Sequence, residues 1–200
     1  MKNRVMRTKA KMVIHETASS FADAPMQEFI QAEIAKKNWI YKIISGEKEA
    51  EHVLFRNEHF VVLPDSEGFD EQGVLNLMAI FTDTKLMSMR DLRGEHLPML
   101  RSIKDIVTGL MPPEFSSPML YFHFIPSVWQ LHLHIASPCD YLRTTNSMQK
   151  VWFLNDVISN LSIDSEYYRK ATITYILPAS HELTQLHTRI QRTNEVSCRS

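Results

Sequence analysis

Residues 121–136 read Tyr121-Phe122-His123-Phe124-Ile125-Pro126-Ser127-Val128-Trp129-Gln130-Leu131-His132-Leu133-His134-Ile135-Ala136. Along a β-strand successive side chains point to opposite faces. On that period Gln130, His132 and His134 share one face, and Leu131, Leu133 and Ile135 share the other. The apolar set is the core side, so the polar set faces solvent or a site. His123 lies in the preceding strand and can return beside them across the Pro126-Ser127 bend. Spacing leaves three readings open. The first is a polar strand face with incidental histidines. The second is a metal site, since His-x-His on one face suits Zn²⁺ and His123 could be a third ligand, although no Asp, Glu or Cys lies close by. The third is a histidine nucleophile acting on phosphorus, with donors around it to hold phosphate charge.

Outward from this stretch the chain alternates short apolar runs with helical periods. Helices are predicted from Pro25 to about Lys37, from Arg93 to Leu110, from Met148 to Leu161 and from His181 to Ile190, the last entered at Ser180. Strands are predicted at Trp39–Ile44, His52–Phe55, Phe60–Pro64, Val74–Phe81, Met119–Ile125, Trp129–Ala136 and Thr172–Leu177. The proline-rich run Met111–Pro118 reads as a loop. Strands in series with helices between them indicate an α+β class, with a mainly antiparallel sheet and packed helices.

Composition sets outer bounds. Two hundred residues with 44% hydrophobic and 22% charged content are ordinary for one globular domain with its own core. A net charge of −1 argues against a dedicated duplex-DNA partner, but not against a single nucleotide. No apolar run is long enough for a membrane span, and no secretory h-region is present. The two cysteines, Cys139 and Cys198, lie far apart and form no disulfide framework, which fits a reducing compartment. The first fifteen residues carry five Lys or Arg and no acid. They read as a loose basic tail, with a mitochondrial presequence or a nuclear signal as weaker alternatives to a cytoplasmic protein.

The 121–136 stretch also resembles the motif of the histidine-triad (HIT) superfamily, in which three histidines alternate with apolar residues. Its flanks are similar to the scavenger mRNA decapping branch of that superfamily. NWIYKIISGEKEAEHVLFRNEHFVVLPD (residues 38–65), SMRDLRGEHLPMLRSI (88–103) and DVISNLSIDSEYYRKATITYIL (156–177) carry the likeness in the same order. The resemblance spans about residues 33–190. It implies a HIT-like fold over 33–200, with 1–32 as a basic tail and short helix, and without the swapped N-terminal domain that the family carries.

The resemblance also implies chemistry. His132 matches the family's nucleophile, which attacks the cap phosphate on the methylguanosine side to form a nucleotidyl-histidine. His134, His123, Ser127 and Gln130 complete the implied catalytic set. Trp39 matches a tryptophan that stacks on the cationic methylated base, Glu49 and Asp65 match pocket carboxylates, and Lys150 matches a phosphate-side arginine. No cofactor and no metal are implied. The expected partners are a cap nucleotide or short capped RNA, and a second copy of the chain in a homodimer. Several positions depart from the pattern. Gln130 replaces a histidine, Val128 a tyrosine, and Ser137–Tyr141 a glycine-containing loop. Glu67 replaces a phosphate-binding lysine. A charge pair 4 Å apart is worth about 4 kcal/mol at an effective dielectric of 20, so that inversion opposes a triphosphate bridge. The expectation is an m7GpppN diphosphatase-like hydrolase. The alternative is a catalytically weakened paralogue that binds cap nucleotide or a protein partner.

Overall fold

The computed structural model describes residues 10–69, 75–111, 117–138 and 150–197, with side chains described throughout these except at 66–69, 150 and 191–197. The strands are β1 (Lys11–Glu16), β2 (Phe55–Arg56), β3 (Phe60–Phe69), β4 (Leu75–Phe81), β5 (Met119–Phe124), β6 (His132–Ala136), β7 (Lys150–Phe153) and β8 (Ile173–Pro178). The helices are α1 (Ala18–Ala22), α2 (Ala24–Lys36), α3 (Trp39–Ser45), α4 (Leu97–Leu110), α5 (Leu154–Ile163), α6 (Tyr167–Lys170) and α7 (Glu182–Ser197). This is an α+β protein. Six strands form one antiparallel sheet in the order β2-β3-β4-β6-β5-β7, and β1 pairs with β8 in a second ladder.

The six-stranded sheet has two unlike faces. One face is apolar throughout: Phe60, Val62, Leu77, Ala79, Phe122, Phe124, Leu133 and Ile135 are buried in the main core. Helix α4 closes this core with the stripe Leu100, Ile103 and Val107, spaced three and four residues apart, and packs on α5. The opposite face is apolar only over β3 and β4, where Val61, Leu63 and Ile80 meet Ile40 and Ile43 of α3. Beyond that patch the same face carries the histidines.

Several predicted elements change type or length. Trp39–Ile44 is helical, not a strand. Its β-branched residues favour strand locally, but Ile40 and Ile43 stand one turn apart and both are buried on the sheet. Gly46 ends the helix at φ 81, a conformation that a residue with a Cβ resists. Arg56 donates to the carbonyls of Ile43 and Ile44 at 2.9 and 2.7 Å, capping the same end. The strand predicted at His52–Phe55 reduces to a 3-10 turn at Ala50–His52 and the two-residue β2. Strand β6 starts at His132 rather than Trp129, and Lys150–Phe153 is strand before α5 begins. The Met148 start of that predicted helix and most of the 111–118 loop lie outside the described residues.

The largest correction concerns the N-terminal segment. Residues 11–16, read as part of a loose tail, form β1 and pair in register with β8, Ile14 opposite Tyr175. Met26 and Ile30 of α2 are fully buried in the main core. Glu16, at the end of β1, has no solvent exposure, and Arg90 has only 3%. Arg90 donates to Glu16 Oε1 from Nε at 3.1 Å and from Nη2 at 2.9 Å. Nη2 also reaches the Glu16 carbonyl, and Nη1 reaches the carbonyls of Tyr168 and Ala171. The Tyr175 hydroxyl gives its one proton to Glu16 Oε2 at 2.9 Å, so His187 Nε2, 2.8 Å away, must be the donor in their shared bond. Burial, and then Glu16, hold the Tyr175 hydroxyl protonated far above its usual range.

Removing one partner of a buried ion pair strands the other. Arg90→Met is therefore expected to cost about 3–5 kcal/mol in urea unfolding, with the double variant Glu16→Met/Arg90→Met recovering a large part of the loss. A double variant no more stable than Arg90→Met would show that the loss does not come from a stranded carboxylate.

Candidate active site

The register of the sheet assembles the site. Leu63, Met78, His134, Tyr121 and Phe153 are successive partners across β3, β4, β6, β5 and β7. Val61, Ile80 and His132 form the neighbouring row. Adjacent rows on one face bring His132 and His134 together, and β5 adds His123 beside them. The ring centroids of His132 and His134 lie 5.1 Å apart, and those of His123 and His134 lie 4.6 Å apart. His134 Nδ1 stands 3.6 Å from Asp65 Oδ2, so the aspartate read from the sequence is part of the cluster.

His132 is the most constrained of the three. Its Nδ1 lies 2.7 Å from the backbone carbonyl of Gln130. A carbonyl only accepts, so Nδ1 carries a hydrogen and the neutral ring keeps its lone pair on Nε2. Burial, then His134, pushes the pKa of His132 down to about 4. The same two causes and His132 push His123 down to about 4. Both are neutral at pH 7. His123 Nδ1 and His134 Nε2 are buried and have no hydrogen-bond partner among the described residues. The arrangement offers one nucleophilic nitrogen of fixed identity beside two buried ring nitrogens able to meet a polar ligand.

The other candidate residues fall in different places. Gln130 precedes β6 rather than sharing its face. The chain turns there because the Leu131 amide bonds to the Leu86 carbonyl, and the Gln130 side chain reaches the carbonyls of Phe81 and Asp83. Ser127 is exposed in the β5–β6 loop, where its carbonyl accepts from Lys37 Nζ at 2.5 Å. It lines a cavity of about 240 Å³ between α2, that loop and β8, whose walls include none of the three histidines. Trp39 opens α3 and is 37% exposed as a residue. Glu49 is exposed just beyond that helix, with a left-handed backbone at φ 56. Lys150 pairs with Phe124, whereas Val151 is the residue opposite His123. The side chains of Lys150 and Glu67 lie outside the described residues, as does most of the 137–141 segment.

Tyr121 is a site residue that the sequence reading missed. Its ring stacks on His134 at 5.2 Å with 13° between planes, and meets His123 edge-on at 5.2 Å. The signal was present, since Tyr121 is two residues before His123 and so shares its face. Arg56 was also missed, because its role as cap of α3 depends on that segment being a helix. Among the described residues, no three His, Cys, Asp or Glu side chains are arranged to hold a metal ion. No helix among them is long and apolar enough to cross a membrane.

A histidine with its lone pair held on Nε2, beside a second histidine on its own strand and a third on the adjacent antiparallel strand, defines a site of the histidine-triad type. The family model described as "Scavenger mRNA decapping enzyme C-term binding" matches residues 38–149, more than half of the chain, and the protein belongs to that family. A protein named m7GpppX diphosphatase from Bos taurus is 28% identical over 190 residues, covering 90% of this chain and 56% of its own length. The Homo sapiens protein of the same name is 27% identical over 183 residues, covering 87% of this chain and 54% of its own. The chain thus spans little more than half the length of these curated relatives. A solved structure titled as the aprataxin ortholog Hnt3 in complex with DNA is 16% identical, with a TM-score of 0.40, over 78% of this chain and 93% of that one.

The depressed histidines also set a stability profile. Between pH 6.5 and about 4 the unfolded chain holds protons that folded His132 and His123 do not. Stability is therefore greatest above pH 6.5 and falls as pH drops towards 4, by about 3 kcal/mol per histidine. Urea midpoints at pH 7.5, 6 and 5 check this. His132→Gln is expected to flatten the slope, and an unchanged slope would remove His132 from the account.

Proposed function

We propose that the protein is a nucleotide pyrophosphate hydrolase that acts on m7GpppN or short capped fragments through a covalent nucleotidyl-histidine. The observation that carries this reading is the 2.7 Å contact between His132 Nδ1 and the Gln130 carbonyl, which leaves Nε2 as the attacking atom. Nε2 attacks the phosphorus on the methylguanosine side, an N–P bond forms, and the P–O bond to the nucleoside diphosphate breaks. The modified ring is cationic, and the Gln130 carbonyl accepting its Nδ1–H stabilises that charge. Water then attacks the same phosphorus, the N–P bond breaks, and m7GMP leaves as the ring returns to its neutral form with Nδ1–H retained. His134 donates from Nε2 to a phosphate oxygen, with the Asp65 carboxylate behind Nδ1. His123 lies beside it, and Trp39 and Glu49 receive the base.

The names of the relatives support the cap nucleotide as substrate. A homodimer and a cytoplasmic site of action complete the proposal. One sequence feature favours a second reading. Glu67 places an acid where the family has a phosphate-binding lysine, which points to a weakened enzyme that retains the nucleotide.

Incubation of the pure chain with m7GpppG and with an unmethylated dinucleoside polyphosphate separates these readings. Release of m7GMP is expected, reduced roughly a thousandfold or more in His132→Ala. Cleavage of the unmethylated compound alone would keep the chemistry and reject the cap assignment. Binding of m7GMP without turnover of either compound would establish the second reading.

A further inference from the structure

We infer that the Gln130 side chain is a positioning device for the nucleophile, acting through the carbonyl of the same residue. The inference rests on His132 as the attacking group. Gln130 has no solvent exposure. Its single amide nitrogen donates to the Phe81 carbonyl at 2.8 Å and to the Asp83 carbonyl at 3.0 Å. The amide oxygen has no partner among the described residues, so the side chain is held by its two N–H groups alone. The backbone completes the attachment. Phe81 N–H donates to the Leu131 carbonyl at 3.0 Å, and Leu131 N–H donates to the Leu86 carbonyl at 2.7 Å. Residues 130 and 131 are thereby fastened to the exit of β4 by four hydrogen bonds. The Gln130 carbonyl that selects the His132 tautomer belongs to this fastened segment.

The chemistry explains why glutamine can stand where the family has histidine. A carboxamide presents two donors from one nitrogen without charge. An imidazole presents two only as a cation, and a fully buried cation is costly. A neutral histidine at 130 would satisfy one of the two carbonyls and leave the other without its partner. Gln130 therefore contributes rigidity at the first motif position, and it touches neither the substrate nor the reacting atoms.

The test compares the full chain with Gln130→Met, which has similar length and no donor, and with Gln130→His, which has one neutral donor. The first readout is the ring-nitrogen ¹⁵N spectrum of His132, assigned through His132→Gln. The native chain is expected to show a single Nδ1–H tautomer, and Gln130→Met a mixture of the two. The second readout is m7GpppG turnover. Gln130→Met is expected to lose about tenfold or more in kcat with KM changed less than about twofold, and Gln130→His to fall between. A Gln130→Met protein with the native tautomer and native kcat would overturn the inference. If the methionine variant does not fold, a Gln130→His protein indistinguishable from native in both readouts would overturn it. A native chain that turns over no cap nucleotide would sink the cap assignment alone, because the tautomer comparison still decides the role of Gln130.

Discussion

The buried pair Glu16–Arg90 is the contact on which the arrangement of the chain depends. Two charges taken out of water are tolerable only if the whole local inventory of donors and acceptors is satisfied. Here it is: all five guanidinium hydrogens have acceptors, drawn from Glu16, Tyr168 and Ala171. Those acceptors belong to β1, α6 and the turn before β8, segments far apart in sequence. Tyr175 and His187 extend the network into β8 and α7. The guanidinium also lies 5.6 Å from the ring of Phe124. Phe124 follows His123 on β5 and points to the opposite face. The network thus fixes, from behind, the strand that presents one of the site histidines.

The site itself is built on rigid elements. Its histidines stand on two adjacent antiparallel strands, and their spacing is set by ladder register rather than by a loop. The neutrality of His132 and His123 at pH 7 follows from burial on the open half of a sheet face whose other half is sealed by α3. That division of one face into an apolar patch and a polar patch places Trp39, at the start of α3, at the end of the covering helix. Arg56 and Gly46 fix the other end of the same helix, so the position of the indole depends on how α3 is capped.

How much of this the sequence shows depends on how local the cause is. The alternation around His132 and His134 is local, and the strand, its buried face and its site face are all legible. The period of α4 is equally clear, because Leu100, Ile103 and Val107 report their own burial. Trp39–Ile44 misleads because its composition favours strand, while the deciding factor is a patch on β3 and β4 that packs Ile40 and Ile43. The Glu16–Arg90 pair is not legible at all. Two ordinary charged residues 74 positions apart carry no local sign that they meet. The basic run before Glu16 disguises β1 as a tail for the same reason, since its pairing partner lies near the other end of the chain.

The two departures that matter most differ in kind. Position 130 needs a group that can hold two carbonyls and orient a third, and a carboxamide meets that need without charge. The change from histidine is absorbed by hydrogen-bond geometry. Position 67 stands within the irregular stretch of β3, where the register with β4 shifts between Pro64 and Phe69. A lysine exchanged for a glutamate there reverses the sign of the charge, so a side chain that would draw an anion close repels it at the same distance. On the proposed reading, hydrogen bonds at position 130 keep the environment of His132, and the acid at position 67 bears on how a phosphate chain is held. On that reading the attacking nitrogen is the part of the chemistry that is kept. The length and charge of the anion it accepts should be the part that has changed.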